Sequence, residues 1–231
     1  MTTMAAPATA TASVAWWFDC ATFTPQAWDM FSITMLYAAS SDPDPTVMGA
    51  IPWRGVQVSK LPTDLWIYQE ILAATRPEII LEMGTHHGGS ALYLFDVSRL
   101  LDLGARIVTV DLARHPALCP VPEIEYYVGW SSVDPELVAE FARQTQGKRT
   151  LVILDSDHTE AHVRAECEAY GPMVSPGSYL IVEDTHFDYG VRGPAVAARA
   201  FLAAHPEFER DEHCERFQVT LNRGGYLRRK P

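Results

Sequence analysis

Two acidic clusters, each closing an apolar run, hold the residues best suited to chemistry in this chain. The first is Thr150-Leu-Val-Ile-Leu-Asp155-Ser-Asp157-His158, and the second is Ser178-Tyr-Leu-Ile-Val-Glu183-Asp184-Thr185-His186. Short runs of Val, Ile and Leu predict strands buried on both faces of a parallel sheet. Ligands of such sheets gather outside the carboxyl ends of the strands. If the two strands are neighbours, Asp155, Glu183 and Asp184 converge as three hard oxygen donors. Crowded carboxylates repel and raise one another's pKa. A divalent cation relieves that crowding, and oxygen-only ligation favours Mg²⁺ or Mn²⁺ over zinc. Helix capping at two strand–helix junctions is the alternative account of the same carboxylates. The expectation is a metal-dependent α/β enzyme.

A third segment points to a cofactor. Leu81-Glu82-Met83-Gly84-Thr85-His86-His87-Gly88-Gly89-Ser90 joins an apolar strand to the helical stretch Ala91–Ser98. Gly84 permits a tight turn and close approach of a ligand, while Gly88 and Gly89 permit close packing. The helix N-terminus offers free N–H groups to an anionic group. The pattern is ExGxxxGG, which departs from the dinucleotide fingerprint, and the absence of a lysine excludes a P-loop. Asp111 ends the next strand, 27 residues after Gly84 (111 − 84), where an acidic side chain accepts hydrogen bonds from ribose hydroxyls. A nucleoside-containing cofactor is expected. NAD stays open, but S-adenosylmethionine (SAM) fits better, because it has no pyrophosphate to cradle.

The elements that must position these residues alternate regularly. Leu61-Pro-Thr63-Asp64 reads as a helix start, with a helix over Leu65–Thr75 that stops before Pro77. Strands are expected at Glu78–Met83, Arg106–Asp111, Ile124–Val128, Arg149–Leu154 and Ser178–Val182. This alternation predicts an α/β fold with a doubly wound, mainly parallel sheet. Phe208–His213 and Phe217–Leu227 have strand composition, with Asn222-Arg-Gly-Gly225 as a turn, so an antiparallel strand is expected at the C-terminus. Residues 1–13 are rich in Ala and Thr and expected to fray. Val14–Trp53 carries Trp16, Trp17, Phe18, Phe23, Trp28, Phe31, Tyr37 and Trp53. It is read as a helical extension that caps the core, closes over substrate or packs between subunits of a homo-oligomer. The division expected is an extension over 1–60 and a catalytic domain over 61–231.

Bulk composition narrows the class. With 231 residues, 48% hydrophobic and 20% charged, the chain suits a globular protein with a substantial core. A net charge of −11 and only three lysines argue against nucleic-acid partners and anionic membranes. No apolar run approaches the ~20 residues of a membrane span, and no basic residue precedes Arg54, unlike a signal or transit peptide. Cys20, Cys119, Cys167 and Cys214 form no CxxC pair and read as reduced thiols of a cytoplasmic protein.

The stretches Lys60-Leu-Pro-Thr-Asp-Leu-Trp-Ile-Tyr-Gln-Glu70, Glu82-Met-Gly-Thr-His-His-Gly-Gly-Ser90, Asp155-Ser-Asp-His158 and Val182-Glu-Asp-Thr185 resemble the cephalosporin hydroxylase/rhamnosyl O-methyltransferase family of natural-product enzymes. The likeness runs from about Lys60 to the C-terminus. The arrangement is also similar to catechol-type O-methyltransferases, in which a basic residue follows a metal-binding Asp by three positions, here His158 after Asp155. The resemblance implies a Rossmann-like class I SAM-dependent methyltransferase fold. It implies Mg²⁺ on Asp155, Glu183 and Asp184, and His158 as general base. It places Glu82, Gly84, Thr85 and Ser90 around the methionine part of the cofactor and Asp111 on its ribose. Gly129-Trp130-Ser131-Ser132 departs from the family, leaving the adenine contacts unassigned.

The expected reaction is SAM- and Mg²⁺-dependent methylation of a sugar hydroxyl, on a glycosylated natural product or a nucleotide-linked deoxysugar in antibiotic biosynthesis. A cephalosporin-type hydroxylation/methoxylation component, an NAD-dependent oxidoreductase and a non-catalytic partner are the alternatives. A sugar hydroxyl is a poor acid, so metal coordination would orient it and stabilise the alkoxide while an imidazole accepts the proton. Asp157 is expected to cap or support from behind the ligands. His86, His87 and His186 are expected in the cleft wall. His115, His162, His205 and His213 belong to no constellation and are expected at the surface or as satisfied core.

Overall fold

The computed structural model describes residues 23–38, 51–187 and 193–231. Helix α1 (Pro25–Ala38) is followed by a hairpin of β1 (Ile51–Trp53) and β2 (Val56–Val58), and then by α2 (Pro62–Thr75) and β3 (Ile79–Met83). Next come α3 (Gly89–Leu100), β4 (Arg106–Asp111), β5 (Glu125–Val128), α4 (Pro135–Thr145) and β6 (Thr150–Leu154). The chain ends with α5 (Glu160–Tyr170), β7 (Tyr179–Val182), α6 (Pro194–Ala204), β8 (Phe208–Arg210) and β9 (Tyr226–Arg229).

Among the described residues, seven strands form one sheet in the order β5-β4-β3-β6-β7-β9-β8. The five strands β3 to β7 run parallel, while β9 is antiparallel to both β7 and β8. Every residue of β3, β6 and β7 is buried. This follows from their Val/Ile/Leu runs, which need apolar cover on both faces. One face packs Ile80, Ile107 and Ile153 against Tyr68, Leu72 and Leu94 of α2 and α3. The other packs Leu81, Val108 and Val152 against Phe141, Val163 and Phe201 of α4, α5 and α6.

Register delivers the chemistry to one edge. Met83 pairs with both Val110 and Leu154, and Leu154 pairs with Val182. The residues that follow therefore emerge together: Gly84 N–H bonds to Val110 O (2.8 Å), Asp155 N–H to Met83 O (2.8 Å), and Glu183 N–H to Leu154 O (3.0 Å).

Three local expectations differ from what forms. Helix α2 begins at Pro62, because proline is preorganised for the first helical turn. The strand expected over 208–213 stops at Arg210, where Asp211 accepts the His213 N–H and starts a short 3-10 turn over Glu212–Glu215. Phe217–Gly225 is not a strand despite its composition. Side chains take its backbone donors instead: Thr220 N–H bonds to Ser32 Oγ (3.1 Å) and Leu221 N–H to Asp64 Oδ2 (3.0 Å).

Of the aromatic N-terminal region, residues 1–22 and 39–50 lie outside the described residues, so Trp16, Trp17 and Phe18 and the Ser41–Pro45 loop are among those not placed. Helix α1 is seated by Asp29, which pairs with Arg223 at 2.7 Å. Trp53 belongs to the hairpin and not to a helix. Its ring meets Tyr93 edge-on at 4.9 Å, and its Nε1–H donates to Asp96 (2.9 Å) on α3. Among the described residues, no helix is long and apolar enough to cross a membrane.

Candidate active site

The strand order reverses direction between β3 and β6, the place where a crevice opens in sheets of this kind. Gly84 stands at that point with φ 105°, and a Cβ there would lie 1.9 Å from the Asp155 carbonyl oxygen. Glycine is thus required by the neighbouring backbone, a reason additional to the ligand approach expected from sequence. A cavity of about 550 Å³ opens above it. Gly84, His86 and Asp111 line one side, Asp155, Asp157, His158 and Asp184 another, and Trp130 and His162 also border it.

Asp155, His158 and Asp184 each offer a ligand atom within 4.8 Å of the others. His158 Nε2 lies 3.5 Å from Asp155 Oδ1 and 3.2 Å from Asp184 Oδ2. Burial disfavours the imidazolium, but the two carboxylates outweigh it and raise His158 to about 9. Burial and the Asp155 charge push Asp184 up to about 7. Asp184 also holds φ 54°, and its N–H donates to Asn222 Oδ1 (3.2 Å). Backbone of this kind in a β-adjacent aspartate is held only where its surroundings fix it.

Glu183 is drawn to the other side of Asp155. Its carboxylate accepts from Lys60 Nζ at 2.6 and 2.5 Å and from Tyr68 OH at 2.5 Å, and Lys60 Nζ also reaches Asp155 Oδ2 at 2.8 Å. Lys60 is 2% exposed. Burial opposes its charge, yet Asp155, Glu183 and Glu82 hold the ammonium protonated well above the usual lysine range. The same carboxylate–ammonium contact helps to hold Asp155 below the usual carboxylate range against its burial. Tyr68 in turn accepts from Asn222 Nδ2 (3.3 Å), and Tyr226 OH donates to Asp64 (2.9 Å), which ties α2 to the 220–226 segment. Sequence reading missed Lys60, Tyr68, Asp64 and Asn222 as site residues. The available signal was Lys60 itself, one of only three lysines, standing directly before a helix.

The residues expected around the cofactor divide into two layers. Gly84 and Asp111 line the cavity, whereas Glu82, Thr85 and Ser90 are not part of its wall. Asp111 accepts from His86 N–H (2.9 Å) and Ala113 N–H (3.1 Å), which aims its carboxylate at the glycine turn. Glu82 is fully buried and accepts from Thr109 Oγ1 (2.7 Å), which also bonds to Thr85 Oγ1 (2.8 Å). Burial raises the Glu82 carboxyl, moderated by Lys60 and by nearby Ser90 and Thr109. Its Oε1 makes no hydrogen bond of normal geometry among the described residues.

Other expected positions are also resolved. Asp157 accepts the Thr159 N–H (2.7 Å) just before α5, a local turn role. His186 is buried against Leu221 O (3.2 Å). Two histidines expected in no constellation have one. His162 bonds to Ser132 Oγ (2.9 Å) beside Glu166 in the cavity wall, and His115 meets His86 and His87. In both cases a loop or helix brings together residues remote in sequence. Cys119, Cys167 and Cys214 are free thiols.

A family model described as rhamnosyl O-methyltransferase/CmcI matches residues 46–230. The rhamnosyl O-methyltransferase of Mycobacterium tuberculosis (strain ATCC 25618 / H37Rv) is 35% identical over 197 residues, covering 79% of this chain and 77% of that protein. Its counterpart in Mycobacterium leprae (strain TN) is 32% identical over 199 residues, covering 80% and 85%. The solved structure "cmcI-D160 Mg-SAM" superposes with a TM-score of 0.61 at 22% identity, covering 84% of this chain and 82% of that one. The "CmcI-N160 apo-structure" gives 0.60 at 22% identity over the same shares. The sheet is that of a class I SAM-dependent methyltransferase, and the chain belongs to the rhamnosyl O-methyltransferase/CmcI family.

Proposed function

We propose that this chain transfers a methyl group from SAM to a hydroxyl of a sugar-containing small molecule, with Mg²⁺ as metal cofactor. The observation that carries the reading is the convergence of Asp155, Asp184 and His158 on the cavity that Gly84 and Asp111 border from the other side. The donor set fits the metal: Asp155 and Asp184 present hard carboxylate oxygens at the cavity, the ligand type Mg²⁺ takes. The cofactor also fits. Asp111, in the cavity wall, is an acceptor for ribose hydroxyls, and Glu82, buried behind the glycine turn, supplies negative charge on the side where the methionine ammonium would lie.

In this reading Asp155 and Asp184 hold the cation, with Glu183 completing the carboxylate group or fixing Asp155 through Lys60. When bound, Mg²⁺ supplies orientation of the acceptor oxygens and stabilisation of alkoxide charge. His158 accepts the hydroxyl proton at Nε2, the nitrogen that faces Asp184. Without a metal His158 keeps its proton at neutral pH even though Lys60 balances part of the Asp155 charge, so its service as a base depends on the remaining carboxylate charge being taken up. Trp130, bordering the same cavity, offers a flat apolar wall to an adenine or an acceptor ring.

The rhamnosyl relatives support a deoxyhexose acceptor, and a glycosylated natural product is the broader substrate class proposed. The test combines SAM and NAD calorimetry with transfer of labelled methyl from SAM to rhamnosides, with Mg²⁺ and with chelator. SAM binding and chelator-sensitive, Mg²⁺-restored label transfer are expected. NAD binding without SAM binding, or full turnover in chelator, would reject the assignment.

A further inference from the structure

Three imidazoles from two loops meet beside the cavity, and nothing in the proposed methyl transfer uses their rings. His86 and His87 lie in the turn after β3, and His115 lies in the loop after β4. Ring centroids are 4.1 Å apart for His86–His87, 4.8 Å for His86–His115 and 3.8 Å for His87–His115. His86 Nδ1 and His87 Nδ1 are 3.0 Å apart, and one ligand nitrogen from each of the three rings lies within 4.8 Å of the others.

We propose that His86, His87 and His115 form a second metal site, selective for a borderline transition ion such as Zn²⁺ over Mg²⁺. An all-nitrogen donor set suits Zn²⁺, Ni²⁺ and Cu²⁺, whereas Mg²⁺ prefers oxygen. Three histidines and a water make an open tetrahedral zinc site. Ligand nitrogens around tetrahedral zinc sit about 3.3 Å apart, given Zn–N bonds of about 2.0–2.1 Å. The His86–His87 pair is already near that spacing, and the His115 nitrogen, within 4.8 Å of both, has at most about 1.5 Å to close. Metal binding requires neutral imidazoles. Burial and the neighbouring rings hold His86 below the usual histidine range and His87 down to about 4, so their lone pairs are available at neutral pH.

The site is anchored on the His86 side, while the His115 ring is held in place until a metal arrives. The His86 N–H is fixed to Asp111 Oδ2 (2.9 Å), with the residue held at φ 46°. His115 Nδ1 accepts the Ala117 N–H at 3.1 Å. Whichever His115 nitrogen takes the metal, that contact is given up, since the other nitrogen must then carry the proton. Occupancy would clamp the 112–118 loop to the turn that borders the cofactor cavity.

The test titrates Zn²⁺ into the full chain by calorimetry in saturating Mg²⁺, and follows Co²⁺ substitution by visible absorption. One equivalent of Zn²⁺ and tetrahedral Co²⁺ bands are expected. His87→Ala and His115→Ala should each weaken Zn²⁺ at least about 10-fold, since even outer partners of a metal site are worth that much. Asp155→Ala should leave it unchanged. Histidine ¹⁵N shifts of the unaltered chain give a second readout, in which three rings move together with one equivalent. A Zn²⁺ site lost in Asp155→Ala but kept in both histidine variants would overturn the proposal. So would no saturable Zn²⁺ binding, or unmoved histidine shifts, which would make the trio a packing cluster only.

Discussion

Lys60 Nζ lies 2.5 Å from Glu183 Oε2, with both side chains 3% exposed, and reaches Asp155 at 2.8 Å. A fixed organic cation therefore already neutralises part of the acidic group that the sequence assigned wholly to a metal. Lys60→Met leaves Glu183 and Asp155 without that partner. Breaking a buried pair from one side costs about 3–5 kcal/mol, so the variant should be strongly destabilised without metal. Mg²⁺ should recover more stability in the variant than in the unaltered chain, because it takes up charge that the ammonium no longer balances. Urea denaturation with and without Mg²⁺ measures this. Equal stabilisation by Mg²⁺ in both proteins would show that ammonium and metal do not share the carboxylates.

His158 gives a pH prediction with a definite sign. Its folded pKa of about 9 lies above the ordinary 6.5. A raised histidine pKa adds stability that is fully present below about pH 6.5 and is lost as pH rises through about 9. Metal-free protein should therefore lose the His158 contribution across that window, and His158→Ala should flatten this part of the profile. Thermal melts of both proteins from pH 6 to 10, compared pairwise, are the measurement. Parallel profiles would mean that the imidazole is not held charged by Asp155 and Asp184.

The same variant separates base from ligand. As a base, His158→Ala should lower the single-turnover methyl-transfer rate by roughly 10²–10⁴-fold with Mg²⁺ and SAM affinities nearly unchanged. As a ligand, it should weaken Mg²⁺ binding, and excess Mg²⁺ should restore the rate. Rescue by metal is the outcome that defeats the base assignment.

Asp111→Ala removes the expected ribose acceptor. A charge-assisted hydrogen bond of this kind is worth roughly 1.5–3 kcal/mol, which corresponds to a loss of about one to two orders of magnitude in SAM affinity. Because Asp111 also holds the His86 and Ala113 N–H groups, part of the loss would come from a loosened turn. Mg²⁺ affinity should stay the same. Unaltered SAM binding by calorimetry would place the nucleoside elsewhere.

Self-association is expected through α1. Phe23, Met30, Phe31 and Met35 are 45%, 53%, 50% and 37% exposed on or beside this one helix. Apolar patches of this sort on a small protein mark contact surfaces. Light scattering at micromolar concentration should give a dimer or larger assembly, and Met30→Glu with Phe31→Glu should shift it toward monomer. A monomeric mass for the unaltered chain would reject the idea.

The parallel core was legible in the sequence because buried strands carry their signal locally. The Val/Ile/Leu runs ending at Met83, Leu154 and Val182 could only be covered on two faces, and parallel pairing sends their next residues to one edge. Those two facts alone put Gly84, Asp155, Glu183 and Asp184 at a common rim. Three-dimensional packing decided what lies between them. Lys60 is 95 residues from Asp155 and 123 from Glu183 (155 − 60 and 183 − 60), and no local pattern marks such a contact. His115 joins His86 and His87 only because the loop after β4 folds back over the glycine turn. The segment 217–225 reads as a strand by composition, yet Asp64 and Ser32 claim its backbone donors. Periodicity reports how a segment is buried; it does not report which distant side chain will be placed against it.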